Sequence, residues 1–275
     1  MNQSLTAHPI AHSSVQPFDR PSVASDAFKT TSFQTHSAHH SRHSRPSSVI
    51  SSPRESLSTA TTNLNLFNFS QTPTQTSTFT DSQSKATALF KNSNAFANGA
   101  ANAAFIGGLN TPIADTNVAI NTFNLASGTG RRYNADSSSI AIVRGLDFYV
   151  APQQTFKFDL NGMTTLGAES TSSREKAFAR SKTSIVIYAT DSNGTQTPID
   201  RLLISTRQTS NGSELNLKAS HGFGLTTTTQ PLSLTSNALS FNGTYSRTFD
   251  TATQISFVAT QTTQTKASRS KHHHR

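Results

Sequence analysis

The pattern of apolar and polar positions divides the chain in two. From about residue 86 onward, apolar side chains alternate with polar ones in short runs, as in 154–160, where Phe156, Phe158 and Leu160 share one side. Alternation with a period of two predicts strands with one buried face. The segment 183–189 is apolar on both faces, which predicts a central strand. Further strand signals lie at 140–150, 202–204, 215–217, 232–234, 239–241 and 255–259.

Asn-Gly pairs separate several of these runs, at 161–162, 193–194, 211–212 and 242–243. Asn-Gly is the preferred pair of a type I′ hairpin turn, because both central residues need positive φ. Helical periodicity is almost absent, and its best exception, 175–182, fits a strand equally well. The sequence therefore predicts an all-β fold, an antiparallel, jelly-roll-like β-sandwich of about 8–10 strands.

The N-terminal part has no sustained period. Residues 1–85 are rich in Ser, Thr and His, their apolar residues are isolated, and ordering each residue costs about 1–2 kcal/mol of backbone entropy. We predict a long disordered, low-complexity arm over 1–85, the sandwich over 86–265, and a frayed basic, His-containing tail over 266–275. An apolar knot at 64–69 is either a docking strand or a local sticky spot, and the Ala-rich run 95–104 is a weak helix, an irregular run or a small-residue strand.

Composition narrows the class of protein. Hydrophobic residues make up 33% and charged residues 13%, there is no Cys, and the formal net charge is +9. The lack of Cys excludes disulfides, Cys-ligated zinc and a Cys nucleophile. A basic balance favours acidic partners. We expect no membrane span, because no run of about 18 apolar residues occurs, and any export to proceed without a conventional signal peptide.

Catalytic chemistry finds little support in the sequence. The folded part holds one histidine, His221, with no nucleophile elbow near it, and Asp191 opens a segment better explained as a hairpin turn than as a calcium loop. We predict no catalytic residues, no metal site and no cofactor, and we interpret the His tracts at 36–43 and 272–274 as solvated rather than metal-binding. No recognisable local pair occurs among the carboxylates Asp147, Asp159, Glu169, Glu175, Asp191, Asp200, Glu214 and Asp250.

Four basic residues form the sharpest candidate site. Arg174, Lys176, Arg180 and Lys182 share parity, so in an extended strand they lie on one face, with Phe178 between them. Such a face could track a polyanion. The favoured interpretation is an edge strand that Lys and Arg protect against unwanted pairing.

Two sequence patterns resemble a known group of proteins. Phe156-Lys157-Phe158-Asp159 forms an F-x-F-D strand, and the segment 243–249 reads G-x-Y-x-R-x-F. Over roughly 86–267 the chain resembles uncharacterised cyanobacterial β-sandwich proteins of the secreted or cell-surface type. The resemblance implies a sandwich fold and an extracellular or surface location reached without a conventional signal peptide, and it implies no mechanism.

Three functions follow in order of preference. The first is a non-catalytic extracellular or cell-surface structural or adhesive protein, an extracellular-matrix component whose partners are cell-envelope components and for which self-association is left open. The second is a binding module for acidic polysaccharide or, as the less favoured partner, nucleic acid. The third is a glycan-active enzyme, which would need a cleft with converging carboxylates.

Overall fold

The computed structural model describes residues 55–108, 111–191 and 193–269. Within them the chain forms two six-stranded antiparallel sheets packed face to face, which confirms the all-β sandwich. Its one short 3-10 helix spans Ile113–Asp115, and no helix in the described part of the chain is long and apolar enough to cross a membrane.

The first sheet has the order β10-β11-β6-β1-β4-β3. Its strands in chain order are β1 (Ser56–Phe67), β3 (Asn94–Ile106), β4 (Asn117–Thr129), β6 (Gln154–Glu169), β10 (Phe223–Ser233) and β11 (Ser236–Phe249). The second sheet has the order β2-β5-β12-β7-β8-β9. Its strands are β2 (Gln75–Ala88), β5 (Tyr133–Val150), β7 (Glu175–Thr190), β8 (Gln196–Thr209), β9 (Gly212–Ala219) and β12 (Thr253–Arg269).

The main apolar core lies between the sheets and is built around phenylalanine. Phe69 stacks on Phe148 at 5.9 Å and on Phe257 at 5.7 Å between ring centroids, and it lies 5.2 Å from Phe158. All four side chains are buried. The alternation that predicted Phe156, Phe158 and Leu160 on one face is confirmed, since all three lie in this core.

A second part of the interior is polar. The Asn124 amide donates to the Thr263 hydroxyl at 2.6 Å and accepts from the hydroxyls of Ser137 at 2.6 Å and Ser139 at 3.0 Å. All four residues are buried, so the sheets are joined here by hydrogen bonds instead of apolar contact. Ser137 and Ser139 belong to the inner face of β5 and Thr263 to that of β12, so this layer lies beneath the outer surface of those two strands.

The predicted boundary at residue 86 is wrong, because it falls inside β2. Strands β1 and β2 cover residues that the sequence assigned to the arm, and β1 is a central strand between β4 and β6. The signal was hidden because Ser56, Ser58 and Thr62 face inward together with Ala60, so buried hydroxyls replace the expected apolar residues. With these two strands, the part of the chain that the structure describes contains twelve, and residues 1–54 lie outside it.

The C-terminal boundary also moves. Strand β12 extends to Arg269, and its inward residues Thr263, Thr265 and Ala267 are buried, so the chain does not fray at residue 266. Hydroxyls again occupy the inward positions. The tract 272–274 lies outside the described residues.

Two of the four Asn-Gly pairs lie at hairpin reversals as predicted, but neither is a type I′ turn, because only the glycine of each pair has positive φ, and the other two pairs do not lie in turns at all. Asn193-Gly194 lies in the β7–β8 turn and Asn211-Gly212 at the β8–β9 reversal. In contrast, Asn161 and Asn242 are cross-strand partners in the interiors of β6 and β11. Their glycines allow close packing: a Cβ on Gly162 would lie 2.3 Å from the Phe241 ring. The Ala-rich run is strand β3, the small-residue alternative among the three predicted for it.

Candidate polyanion-binding face

The four basic residues lie around β7, which is an interior strand. β7 pairs with β12 on one side and with β8 on the other, so the interpretation as a protected edge strand is wrong. Sequence reasoning missed this because the inward neighbours Ser181 and Thr183 are hydroxyls, which made the first half of the strand look exposed on both faces. The prediction of a central strand over 183–189 is confirmed.

Alternation places three of the four basic side chains on the outer face. Lys176, Arg180 and Lys182 are exposed and Phe178 is half-buried, while the intervening residues are buried. Arg174 is exposed in the turn before β7. The structure therefore keeps the shared face that the sequence predicts for the strand residues, and it puts Arg174 outside the strand.

Arg180 and Lys182 line a concavity of about 610 Å³ on this outer face. It crosses β2, β5, β12, β7 and β8, which at the usual spacing between strands extends over roughly 19 Å. Its lining is polar except for one isoleucine: Asp81, Gln83, Ser138, Ser139, Ile140, Arg180, Ser181, Lys182, Ser205, Thr262, Thr263 and Gln264.

The concavity follows from the cross-strand register. One row of directly opposed residues runs Asp81, Ile140, Thr262, Lys182 and Ser205. The next row runs Gln83, Ser138, Gln264, Arg180 and Arg207. Short hydroxyl side chains beside the two cations leave room above the sheet, and the amides and hydroxyls point donors and acceptors into that room.

The basic side chains in the concavity lack acidic partners. Among the described residues, neither Arg180 nor Lys182 takes part in a salt bridge. Arg180 stands directly opposite Arg207, and like charges in that position destabilise a sheet. Arg207 has an exposed partner in Glu214 at 3.9 Å. An anion bound beside Arg180 would relieve this repulsion, so the site is electrostatically suited to an anionic ligand.

The wider charge distribution favours the same face. By strand register and alternation, the outer face of the second sheet carries four acidic residues, Asp81, Asp136, Asp147 and Glu214, against nine basic ones. The nine are Lys85, Arg144, Lys176, Arg180, Lys182, Arg201, Arg207, Lys218 and Lys266. The strands of the first sheet contain two basic and two acidic residues, Lys157, Arg247, Asp159 and Glu169. The positive charge of the described strands is therefore concentrated on one side of the sandwich.

The residues that sequence reasoning missed come from β2, β5, β8 and β12. A usable signal exists in 137–139 and 261–265, where consecutive Ser, Thr and Gln residues are polar at both parities. In a strand, such a run is polar on both faces, one toward the buried Asn124 layer and one toward the concavity. Nothing in the sequence alone brings these runs beside Arg180.

A second cluster lies at one end of the sandwich, near His221. The Tyr245 hydroxyl donates to Asp200 at 2.9 Å, and Arg247 donates to the same carboxylate oxygen at 2.8 Å. His221 is exposed and lines an adjoining hollow of about 470 Å³. Burial and the negative charge of Asp200 raise the pKa of Tyr245, and the ring is fully buried. This phenol is held protonated and out of reach of a ligand.

The Tyr245 cluster explains the G-x-Y-x-R-x-F segment as a cross-sheet link. Tyr245 and Arg247 belong to β11 in the first sheet and Asp200 to β8 in the second, so one carboxylate ties the two sheets together. Arg247 also lies 5.7 Å from the ring centroid of Phe249. In the F-x-F-D strand, Asp159 accepts from Asn68 at 2.7 Å and from Thr244 at 3.0 Å. Both motifs therefore supply side chains that hold strands of the sandwich together.

The remaining candidates have architectural contacts. Asp191 accepts backbone N–H bonds from Asn193 and Thr195, each at 2.9 Å, and so stabilises the hairpin turn. Across the described ranges, no three His, Asp or Glu side chains are placed to hold a metal ion together. The histidine tracts at 36–43 and 272–274 lie outside those ranges.

Comparison with known proteins gives no relative on which to base a function: no family model, no curated protein and no solved structure matches the chain. The resemblance to cyanobacterial surface sandwiches therefore stays a prediction.

Proposed function

We propose that this chain is a non-catalytic extracellular adhesive protein that binds an acidic polysaccharide on the outer face of its second sheet. The observation that supports the proposal most directly is that Arg180 and Lys182, on an interior strand, line a polar concavity without carboxylate partners. Because β7 is not an edge strand, protection against unwanted strand pairing does not explain why Arg180 and Lys182 lie there.

A carbohydrate fits the lining better than a nucleic acid. Proteins that bind single-stranded nucleic acid combine basic residues with aromatic rings on which bases stack. The concavity has no aromatic lining residue, whereas the outward side chains of Gln83, Ser138, Ser205, Thr262 and Gln264 match the hydroxyls of a sugar chain. Its two cations match carboxylate or sulfate groups. The extracellular location rests on the resemblance and on the hydroxyl-rich, Cys-free composition, and fractionation of the native host would test it.

The test of the site is binding to heparin and alginate by isothermal titration calorimetry at low and high salt. We expect the double variant R180A/K182A to bind about 10-fold more weakly, because two charge-assisted contacts are lost. Wild-type affinity should fall steeply with salt, since the interaction is between exposed charges.

A matched control removes the same charge elsewhere. The variant R131A/K157A changes one arginine and one lysine that are exposed outside the concavity, and we expect it to bind nearly as tightly as the wild type. Equal losses in both double variants would show a diffuse charge effect and contradict the site. Tighter binding of a single-stranded DNA oligonucleotide than of either polysaccharide would contradict the choice of ligand.

A further inference from the structure

The free edge of the second sheet has a self-complementary pattern of charge. Among residues 55–108, 111–191 and 193–269, β9 is the last strand of that sheet and pairs with β8 alone, and it is exposed at every position. Its sequence places Glu214 and Lys218 symmetrically about Asn216, with Leu215 and Leu217 between them. A rotation of the strand by 180° about Asn216 therefore exchanges the positions of Glu214 and Lys218, and those of Leu215 and Leu217.

We propose that β9 pairs with β9 of a second copy of the chain, in an antiparallel register centred on Asn216. In this register Glu214 lies opposite Lys218 of the second copy, and the reverse pair forms by symmetry. Leu215 lies opposite Leu217 of the second copy. Opposite charges and apolar pairs are both stabilising in directly opposed positions of an antiparallel ladder.

The exposure of Leu215 and Leu217 favours a partner strand at this edge. Leu215 is 45% exposed and Leu217 39% exposed, on the side of the strand that faces the first sheet. An edge strand that only needs protection from pairing carries charges that repel a second copy or point inward. The β9 charges attract a second copy instead, and the unpaired backbone groups of the edge would gain partners.

The register also has a consequence for the outer face. A two-fold axis that relates edge strands in this way is perpendicular to the sheet. The second sheets of the two copies therefore join into one sheet of twelve strands. Both concavities then face the same side. A single long polyanion could contact both, which would raise its apparent affinity without any new contact to the protein.

The test is sedimentation velocity of the full-length chain over a range of concentrations, with no polysaccharide present. We expect the wild type to dimerise, and E214K and K218E each to raise the dimer dissociation constant by roughly 10- to 100-fold. Each substitution replaces two attractive cross-strand pairs by two repulsive ones.

Mixing separates this pairing from a general loss of folding. The E214K chain carries two lysines at these positions and the K218E chain two glutamates, so an equimolar mixture should form a heterodimer as readily as the wild type forms its dimer. K85E, on the other edge strand, should leave dimerisation unchanged. A monomeric wild type, dimers of the single variants, or a mixture that stays monomeric would overturn the proposal. Because no polysaccharide is present, none of these results bears on the concavity.

Discussion

At the residue scale, two buried carboxylates tie the sandwich together, and each has an arginine partner. Asp200 accepts from Tyr245 and from Arg247, and the Glu175 carboxylate lies 3.5 Å from Arg269 while accepting from Thr171. Burial by itself raises the pKa of both acids. The hydrogen bonds they accept and the arginine charges outweigh burial, so both pKa values lie below their ordinary values.

These lowered pKa values predict acid-sensitive stability. For both Asp200 and Glu175 the folded-state pKa lies below the unfolded one. Their ionised carboxylates therefore stabilise the folded state at pH values above the ordinary pKa of 3.8 for Asp and 4.5 for Glu. This stabilisation is lost as pH falls through the lowered values. We expect D200N to lower the free energy of unfolding by about 2 kcal/mol at pH 7, and the difference from wild type to shrink toward pH 3. Urea unfolding at both pH values measures this, and an equal difference at both would contradict it.

The hydrogen bond from Tyr245 to the same carboxylate gives a second prediction about stability. Y245F keeps the buried ring and removes only the hydroxyl that Asp200 accepts from, so it should cost about 1.5–3 kcal/mol, the usual worth of a hydrogen bond to a charged group. Y188F on the half-buried outer side of β7 is the matched control and should be nearly neutral. Equal urea midpoints for Y245F and wild type would show that the link does not stabilise the fold.

At the element scale, close packing requires one of two glycines on the neighbouring strands β10 and β11 but not the other. A Cβ on Gly243 of β11 would lie 2.1 Å from the backbone oxygen of Gly224 on β10. A Cβ on Gly224 would meet nothing closer than 4.0 Å. Close packing therefore excludes a side chain at Gly243 but not at Gly224, and the difference depends on how β10 and β11 pair rather than on either local sequence.

The contrast gives a paired prediction. G243A should destabilise the protein by about 1–3 kcal/mol, because the contact is with backbone and β10 must shift away from β11. G224A should be tolerated, since its methyl group enters open space. Thermal unfolding followed by circular dichroism compares the two, and a G224A variant as unstable as G243A would contradict the packing argument.

At the scale of the whole molecule, apolar alternation predicted the strands that face the phenylalanine core and missed those that face the polar layer. Phe156 and Phe158 mark the first half of β6, because the inward residues there are all apolar. Strand β1 begins with inward Ser56 and Ser58, and the last part of β12 has inward Thr263 and Thr265, so hydroxyl-rich sequence looks like solvated chain. The candidate site could also be predicted only in part. The sequence shows that Arg180 and Lys182 share one face of a strand, but their position on an interior strand depends on pairings with residues far away in sequence.

The missed strands give the most demanding prediction about the fold. β1 lies between β4 and β6, so a chain that starts at residue 86 would lose a central strand of the first sheet and the edge strand β2 of the second. It would also lose the inward Leu64 and Leu66, whose burial is worth about 1.5–3 kcal/mol each, together with the backbone bonds on both sides of β1. We expect a fragment of residues 86–275 to show no cooperative unfolding in urea, and a fragment of residues 55–275 to unfold cooperatively. A cooperative transition in the shorter fragment would mean that β4 and β6 can form a stable sheet without β1 between them, and it would contradict this prediction.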